Sequence, residues 1–341
     1  RDTAIGAVAV AAGLCQRVRA GLIERGRGDG TGVVAKADQS PVTVADFGSQ
    51  AVICRTLEAS FPGDPVIGEE DSAELRRPDA ADLLKKVVGF VREVSKGVAI
   101  PVDAGAVRGW IDRGGARSYH ERFWTLDPID GTKGFLRGEQ YAVALALIEA
   151  GRPVVAALAC PNLPPTAGAG EADPSSAGAI FFAVRGEGAW VLPTGNDLDP
   201  RKAARITVGS SDDPALGRFC ESVESGHSAH GDSARIAEAL GIVAPPVRLD
   251  SQAKYAVVAR GEADIYLRMP TKKDYREAIW DHAAGALIVS EAGGIVSDID
   301  GRPLDFTRGP RLEANRGVVV ANPRWHSRVI AAIARLGLAS A

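Results

Sequence analysis

The stretch Ala142-Val-Ala-Leu-Ala-Leu-Ile-Glu149, the turn Ala150-Gly151 and the run Pro153-Val-Val-Ala-Ala-Leu-Ala-Cys160 decide the fold class. Two apolar runs of strand length meet at a short turn, which predicts an antiparallel hairpin. They are the longest apolar runs in the chain, and both fall far short of the roughly 20 residues that cross a bilayer. Upstream, Phe123-Trp-Thr-Leu126 reads as a strand ending at Asp127-Pro128. Downstream, 179–184 and 188–192 form a second hairpin around Arg185-Gly-Glu-Gly188. Residues 164–177 between the hairpins are rich in Pro, Ala, Gly and Ser and read as a surface loop.

Further out, Ile5, Val8, Ala12, Cys15, Val18 and Leu22 make one apolar stripe and predict a helix over 2–25. A glycine-rich break over 26–32 lacks the pattern of a phosphate loop. A helix over 46–60 ends in Phe61-Pro-Gly-Asp64. A strand over 65–68 runs into Glu69-Glu70-Asp71, and a helix follows over 79–96. Beyond residue 200 the rhythm changes. Strands over 205–208, 246–249, 264–268, 295–298 and 317–321 alternate with helices over 214–223, 233–240, 251–260, 277–292 and 323–336. The chain reads as α/β, with an antiparallel-sheet α+β unit over 1–200 and an α/β unit over 201–341.

The 341 residues are 45% hydrophobic and 24% charged, enough for a large core. Forty basic against 43 acidic residues leave a net charge of -3, which argues against a binder of nucleic-acid polymers. Cys15, Cys54, Cys160 and Cys220 form no CxxC pair and lie near no histidine. That usage argues against a zinc site and a disulfide framework and points to a reducing compartment, the cytoplasm first. The chain opens at Arg1, so a removed targeting peptide stays open.

The chemistry concentrates in Asp127-Pro-Ile-Asp130-Gly-Thr132. Two carboxylates three residues apart sit in a turn forced by proline and glycine, beside exposed carbonyls. Hard divalent cations want such oxygens. The amides of Gly131 and Thr132 suit a phosphate. Alone, the motif would equally be a surface Asx turn. It is accompanied by Asp46, Glu69 and Asp281, each beside an apolar element rather than in a charged run. Small residues Ala283-Ala-Gly285 would let that helix approach another backbone closely. No Ser/His or Cys/His nucleophile pair stands out, which favours direct attack by water.

With Trp280-Asp281-His-Ala-Ala-Gly285, this motif makes the chain resemble the inositol monophosphatase superfamily of Mg²⁺-dependent, lithium-sensitive phosphatases. It is most similar there to the 3′(2′),5′-bisphosphate nucleotidases. That likeness rests on Lys36-Ala-Asp-Gln-Ser-Pro-Val-Thr43, on 122–140 (RFWTLDPIDGTKGFLRGEQ), and on Cys160-Pro-Asn-Leu-Pro164. Val223-Glu-Ser-Gly-His227, Leu249-Asp-Ser-Gln-Ala-Lys-Tyr255 and Asp264-Ile-Tyr-Leu-Arg-Met-Pro270 complete it. The resemblance implies a layered α-β-α-β-α sandwich and two or three Mg²⁺ ions. Glu69, Asp127, Asp130, Asp281 and the Ile129 carbonyl would be the metal ligands. Asp46 and Thr132 would activate the attacking water, with Glu69 sharing the task. His227, Ser251, Lys254 and Arg268 would hold the nucleotide and its second phosphate. Gly131, Thr132 and Asp281 would touch the substrate. The span from His227 to Ser251 is one residue longer than the family pattern, which makes His230 the substitute.

The expected reaction is hydrolysis of the 3′-phosphate of 3′-phosphoadenosine 5′-phosphate, with 3′-phosphoadenylyl sulfate a further candidate. An inositol mono- or polyphosphate phosphatase with the same metal site is the alternative. A non-catalytic nucleotide sensor is a third reading, opposed by the acidic residue at every expected position.

Overall fold

The computed structural model describes residues 1–24, 33–35, 41–95, 101–166, 178–195, 197–223, 229–272 and 274–339. The glycine-rich break, most of the 164–177 loop, His227 and Lys36-Ala-Asp-Gln-Ser40 lie outside them. In chain order come α1 (Asp2–Glu24), β1 (Val33–Ala35), β2 (Pro41–Thr43), α2 (Val44–Ser60), β3 (Val66–Gly68), α3 (Ala81–Val94) and α4 (Ala104–Asp112). Then follow β4 (Arg122–Asp130), α5 (Thr132–Arg137), β5 (Ala142–Glu149), β6 (Arg152–Cys160), β7 (Ala179–Val184), β8 (Gly188–Pro193) and β9 (Ala204–Ile206). The remainder is β10 (Phe219–Glu221), α6 (His230–Leu240), β11 (Val247–Arg248), α7 (Ala253–Ala259), β12 (Ile265–Arg268), α8 (Ala283–Glu291), β13 (Ile295–Ser297), β14 (Val318–Ala321) and α9 (Pro323–Arg335).

The decisive hairpin forms as read, with Val143 opposite Ala159 and Leu147 opposite Val155. Both of its faces are buried, and the residues sort by size. Val143, Leu145 and Leu147 pack into a core with α1 and α2. Ala142, Ala144 and Ala146 face a second core built with α7 and α8. Alanine on that face leaves room for α8 to lie close against the sheet. The seven-stranded sheet runs β3-β4-β5-β6-β7-β8-β9 and is antiparallel except for the parallel pair β3/β4. The five-stranded sheet runs β11-β10-β12-β14-β13 and mixes parallel and antiparallel pairs. A third core joins that sheet to α6 and α9. The layers are therefore helices α1–α4, the larger sheet, α7 with α8, the smaller sheet, and α6 with α9. This is the expected α-β-α-β-α sandwich.

Three elements differ from the sequence reading. The strand near 205 is not the start of the alternating half. It is β9, the edge of the larger sheet, where Arg205 stacks over its cross-strand partner Trp190. No helix forms over 214–223. The Asp213 carboxylate accepts from the Ala215 amide at 2.9 Å, closing a turn, and buried Phe219 and Cys220 form a central strand against β12. The helix expected over 277–292 begins only at Ala283. Backbone bonds from Ile279 N to Pro310 O (3.1 Å) and Leu312 N to Glu277 O (2.9 Å) hold residues 277 and 278 extended, and Ile279–Asp281 form a single 3₁₀ turn before α8. Helix α4, unread in sequence, is capped by Asp103, which accepts from Ala106 N at 2.8 Å.

All four cysteines are buried free thiols, and burial pushes Cys54 and Cys220 up to about 12. Among the described residues no helix is long and apolar enough to cross a membrane.

Candidate active site

Strand β4 ends in the Asp-Pro-Ile-Asp motif. Asp127 pairs with Ala144 and Asp130 with Ala142, so β4 carries one residue more than β5 between those pairs. Such a bulge bends the strand and re-aims its side chains. Ser49 on α2 secures it by donating to the Pro128 carbonyl at 2.9 Å. Gly131 then adopts φ +85° and turns the chain into α5. A Cβ there would stand 3.0 Å from the Ser251 Cβ, so glycine is required by both conformation and contact. Ser251 is itself left-handed, at φ +67°, which is costly for a residue with a side chain. Its hydroxyl accepts from Ala253 N at 3.2 Å. The Thr132 hydroxyl donates to the Ile129 carbonyl at 3.2 Å.

Glu69, Asp127, Ile129, Asp130, Gly131, Thr132, Ser251, Lys254, Arg268 and Asp281 all line one cavity of about 240 Å³. The larger sheet supplies Glu69 after β3, and Asp127 and Asp130 from β4. The smaller sheet's side supplies Lys254 from α7 and Arg268 from β12. Asp281 arrives from the turn before α8. Lys133, Asp250, Tyr266, Tyr275, Trp280 and Arg311 are among the rest of the wall.

The electrostatics are those of crowded carboxylates. Burial raises Asp130 above the usual range, against the pull of Lys254 and Arg268. Burial and the neighbouring Asp130 push Asp281 up to about 8, with Glu69 and Glu277 adding to the repulsion. Carboxylates this close are relieved by a hard cation, and the all-oxygen donor set fits Mg²⁺. Burial lowers Lys254, while Asp130 opposes that shift. The Lys254 Nζ donates to the Leu249 carbonyl at 3.2 Å and lies 5.3 Å from the Tyr266 ring centre. Arg268 loses by burial, yet Glu277 holds its guanidinium charged.

Ligand atoms of Glu277, Asp281 and His282 lie within 4.8 Å of one another, a spacing compatible with a metal ion. Of the three, only Asp281 lines the cavity. Glu277 is engaged by Arg268 and by His282 at 3.3 Å, and His282 by the Tyr255 hydroxyl at 2.7 Å. A guanidinium already supplies the positive charge there.

The other expected residues fall elsewhere. Asp46 is fully buried in the first turn of α2 and does not line the cavity. His230, the substitute for His227, has its Nε2 3.0 Å from the Ser222 carbonyl. It lines a separate cavity with Phe219 and Ile242. The small residues do let α8 lie close to β6 and α7, and a Cβ on Gly285 would meet the Tyr255 ring at 2.3 Å.

Sequence reasoning passed over Gln252. Its backbone N–H donates to Asp130 Oδ2 at 2.6 Å, its Nε2 to the Trp280 carbonyl at 2.9 Å, and its Oε1 accepts from Gly285 N at 3.0 Å. One buried amide thus ties Asp130, the Asp281 turn and α8 together. Its place between Ser251 and Lys254 was the available signal, but a neutral side chain carries no charge to advertise the role.

The model of the inositol monophosphatase family matches residues 1–338. A 3′(2′),5′-bisphosphate nucleotidase of Schizosaccharomyces pombe is 45% identical, with 98% of this chain and 94% of that protein covered. One from Oryza sativa is 42% identical over 96% and 91%. In fold, the chain resembles the extragenic suppressor protein SuhB of Bartonella henselae, with TM-score 0.64, 19% identity, and 97% and 96% of the two chains covered. It also resembles CysQ of Bacteroides thetaiotaomicron, with TM-score 0.59, 22% identity, and 94% and 96% covered. A family match along almost the whole chain joins the same sandwich, and the chain belongs to the inositol monophosphatase family.

Proposed function

We propose that this chain is a Mg²⁺-dependent 3′(2′),5′-bisphosphate nucleotidase that converts 3′-phosphoadenosine 5′-phosphate to AMP and phosphate. Relatives at 40–45% identity that carry that name support the reaction class. The observation that carries the substrate is the shared cavity: the carboxylates of Glu69, Asp127, Asp130 and Asp281 and the cations of Lys254 and Arg268 face the same space. A simple monoester needs the carboxylate set alone. A ligand with a second, non-reacting phosphate also needs an anchor, and the two cations supply it. 3′-Phosphoadenylyl sulfate would be a further substrate of the same cavity, since it differs only beyond the 5′ end.

Glu69, Asp127, Asp130, Asp281 and the Ile129 carbonyl would hold two or three Mg²⁺ ions. Such ions, when bound, offset the dianionic charge of the ester, acidify water and stabilise the leaving oxygen. The chain's own part is positioning. Thr132, at the start of α5, would orient the attacking water together with Asp46. Helix α5 lies against β2, which leads directly into α2, the helix that carries Asp46. Gly131 and Ser251 would shape the floor under the sugar, and Lys254 and Arg268 would fix the far phosphate. His227, outside the described residues, would contact the nucleotide as the resemblance implies.

Phosphate release should be measured from 3′-phosphoadenosine 5′-phosphate and inositol 1-phosphate side by side, in Mg²⁺ and in EDTA. Rapid release from the nucleotide that stops in EDTA is expected. Preference for the inositol ester would keep the metal site and overturn the role of Lys254 and Arg268. Tight nucleotide binding without turnover would make the protein a sensor.

A further inference from the structure

We infer that Glu277 is a positioning residue that grips one edge of the Arg268 guanidinium and turns the other toward the ligand's non-reacting phosphate. This inference rests on Arg268 being the anchor proposed above. A guanidinium offers two forked edges, one made by Nε and an Nη, the other by the two Nη atoms. Glu277 Oε1 accepts from Arg268 Nε at 3.2 Å, and Oε2 lies 3.1 Å from Nη2. The side edge is therefore spent; Tyr266 also hydrogen-bonds the guanidinium, and what remains for a phosphate is the part of the fork that faces the cavity. Arg268 lines the cavity and Glu277 does not, so Glu277 acts through the arginine.

The grip is itself held from behind. His282 Nε2 lies 3.3 Å from Glu277 Oε2, and the Tyr255 hydroxyl lies 2.7 Å from His282 Nδ1. Tyr255, Tyr266, Glu277 and His282 are all buried. Tyr255 and Tyr266 stack edge to face, with ring centres 5.2 Å apart. The Glu277 backbone is pinned by the bond from Leu312 N, in the extended segment that replaced the expected helix. A helix starting at 277 would remove that bond, which gives the misread segment a purpose. The carboxylate also offsets the charge of Arg268, so the cavity is not a general anion trap. It rewards a ligand whose second phosphate reaches the part of the fork that faces the cavity.

The test is a double-mutant cycle of Glu277→Gln and Arg268→Ala on 3′-phosphoadenosine 5′-phosphate and adenosine 3′-monophosphate, with thermal melts of each variant. E277Q is expected to raise KM for the bisphosphate about tenfold, with kcat within about twofold, and to spare the monophosphate. In the R268A background, E277Q should add nothing. Full additivity, or equal KM rises on both substrates, would reduce Glu277 to a structural residue. If E277Q fails to fold, Glu277→Asp carries the same cycle, with a smaller KM rise expected and the same additivity overturning the idea. R268A without effect on the bisphosphate strikes the anchor reading itself. R268A with its effect and an additive E277Q strikes only the role of Glu277.

Discussion

Asp130→Asn is expected to lower kcat by roughly 10³-fold or more while leaving the folded protein as stable as before. Asp130 is half-buried at the end of β4, and its Oδ2 accepts from Gln252 N. Asparagine keeps an acceptor for that bond, so the local structure survives. What it removes is the charge that a divalent cation would neutralise. In the metal-free protein that charge is unfavourable: burial raises Asp130, and Asp130 in turn raises Asp281. The variant's melting temperature in EDTA should therefore equal or exceed that of the parent. The rise in melting temperature produced by Mg²⁺ should shrink, because binding to the native state alone is what generates it. A protein of unchanged stability and lost activity is the pattern of a site that trades stability for function. Retention of the parent kcat would remove Asp130 from the metal set.

Arg268→Ala is expected to raise KM for 3′-phosphoadenosine 5′-phosphate about 100-fold and to change KM for adenosine 3′-monophosphate only a few-fold. The side chain is 15% exposed and sits in a cavity that Lys254 also lines. Loss of a desolvated charged anchor costs about 2–5 kcal/mol, far more than loss of a surface charge. Arg268→Lys should recover only part of the loss, since an ammonium cannot present a fork while another is held. Equal effects on both substrates would mean that Arg268 supports the fold or the reacting phosphate rather than a second one.

Much of this was legible locally. The hairpin β5/β6 announced itself because two apolar runs flank a two-residue turn. The carboxylates stood out because Asp127 and Asp130 share one motif and Asp281 lies in another. What escaped the sequence depends on partners distant along the chain. Gln252 bonds Asp130, 122 residues away. Residues 277 and 278 have a helical composition, yet they are drawn out by bonds to Pro310 and Leu312. Strand β10 has only three residues and is a strand because β11 and β12 flank it. In each case tertiary hydrogen bonding overrode local preference. The charge of Arg268 was visible in sequence, but its shared edge with Glu277 was not.

The central claim is a polarity: the reacting phosphate meets the carboxylates, and the surviving phosphate meets Lys254 and Arg268. Its most direct test is the identity of the nucleoside monophosphate released in a single turnover of 3′-phosphoadenosine 5′-phosphate, separated by chromatography from its isomer. The account predicts adenosine 5′-monophosphate. Adenosine 3′-monophosphate would contradict it, because the ligand would then lie the other way round in the cavity.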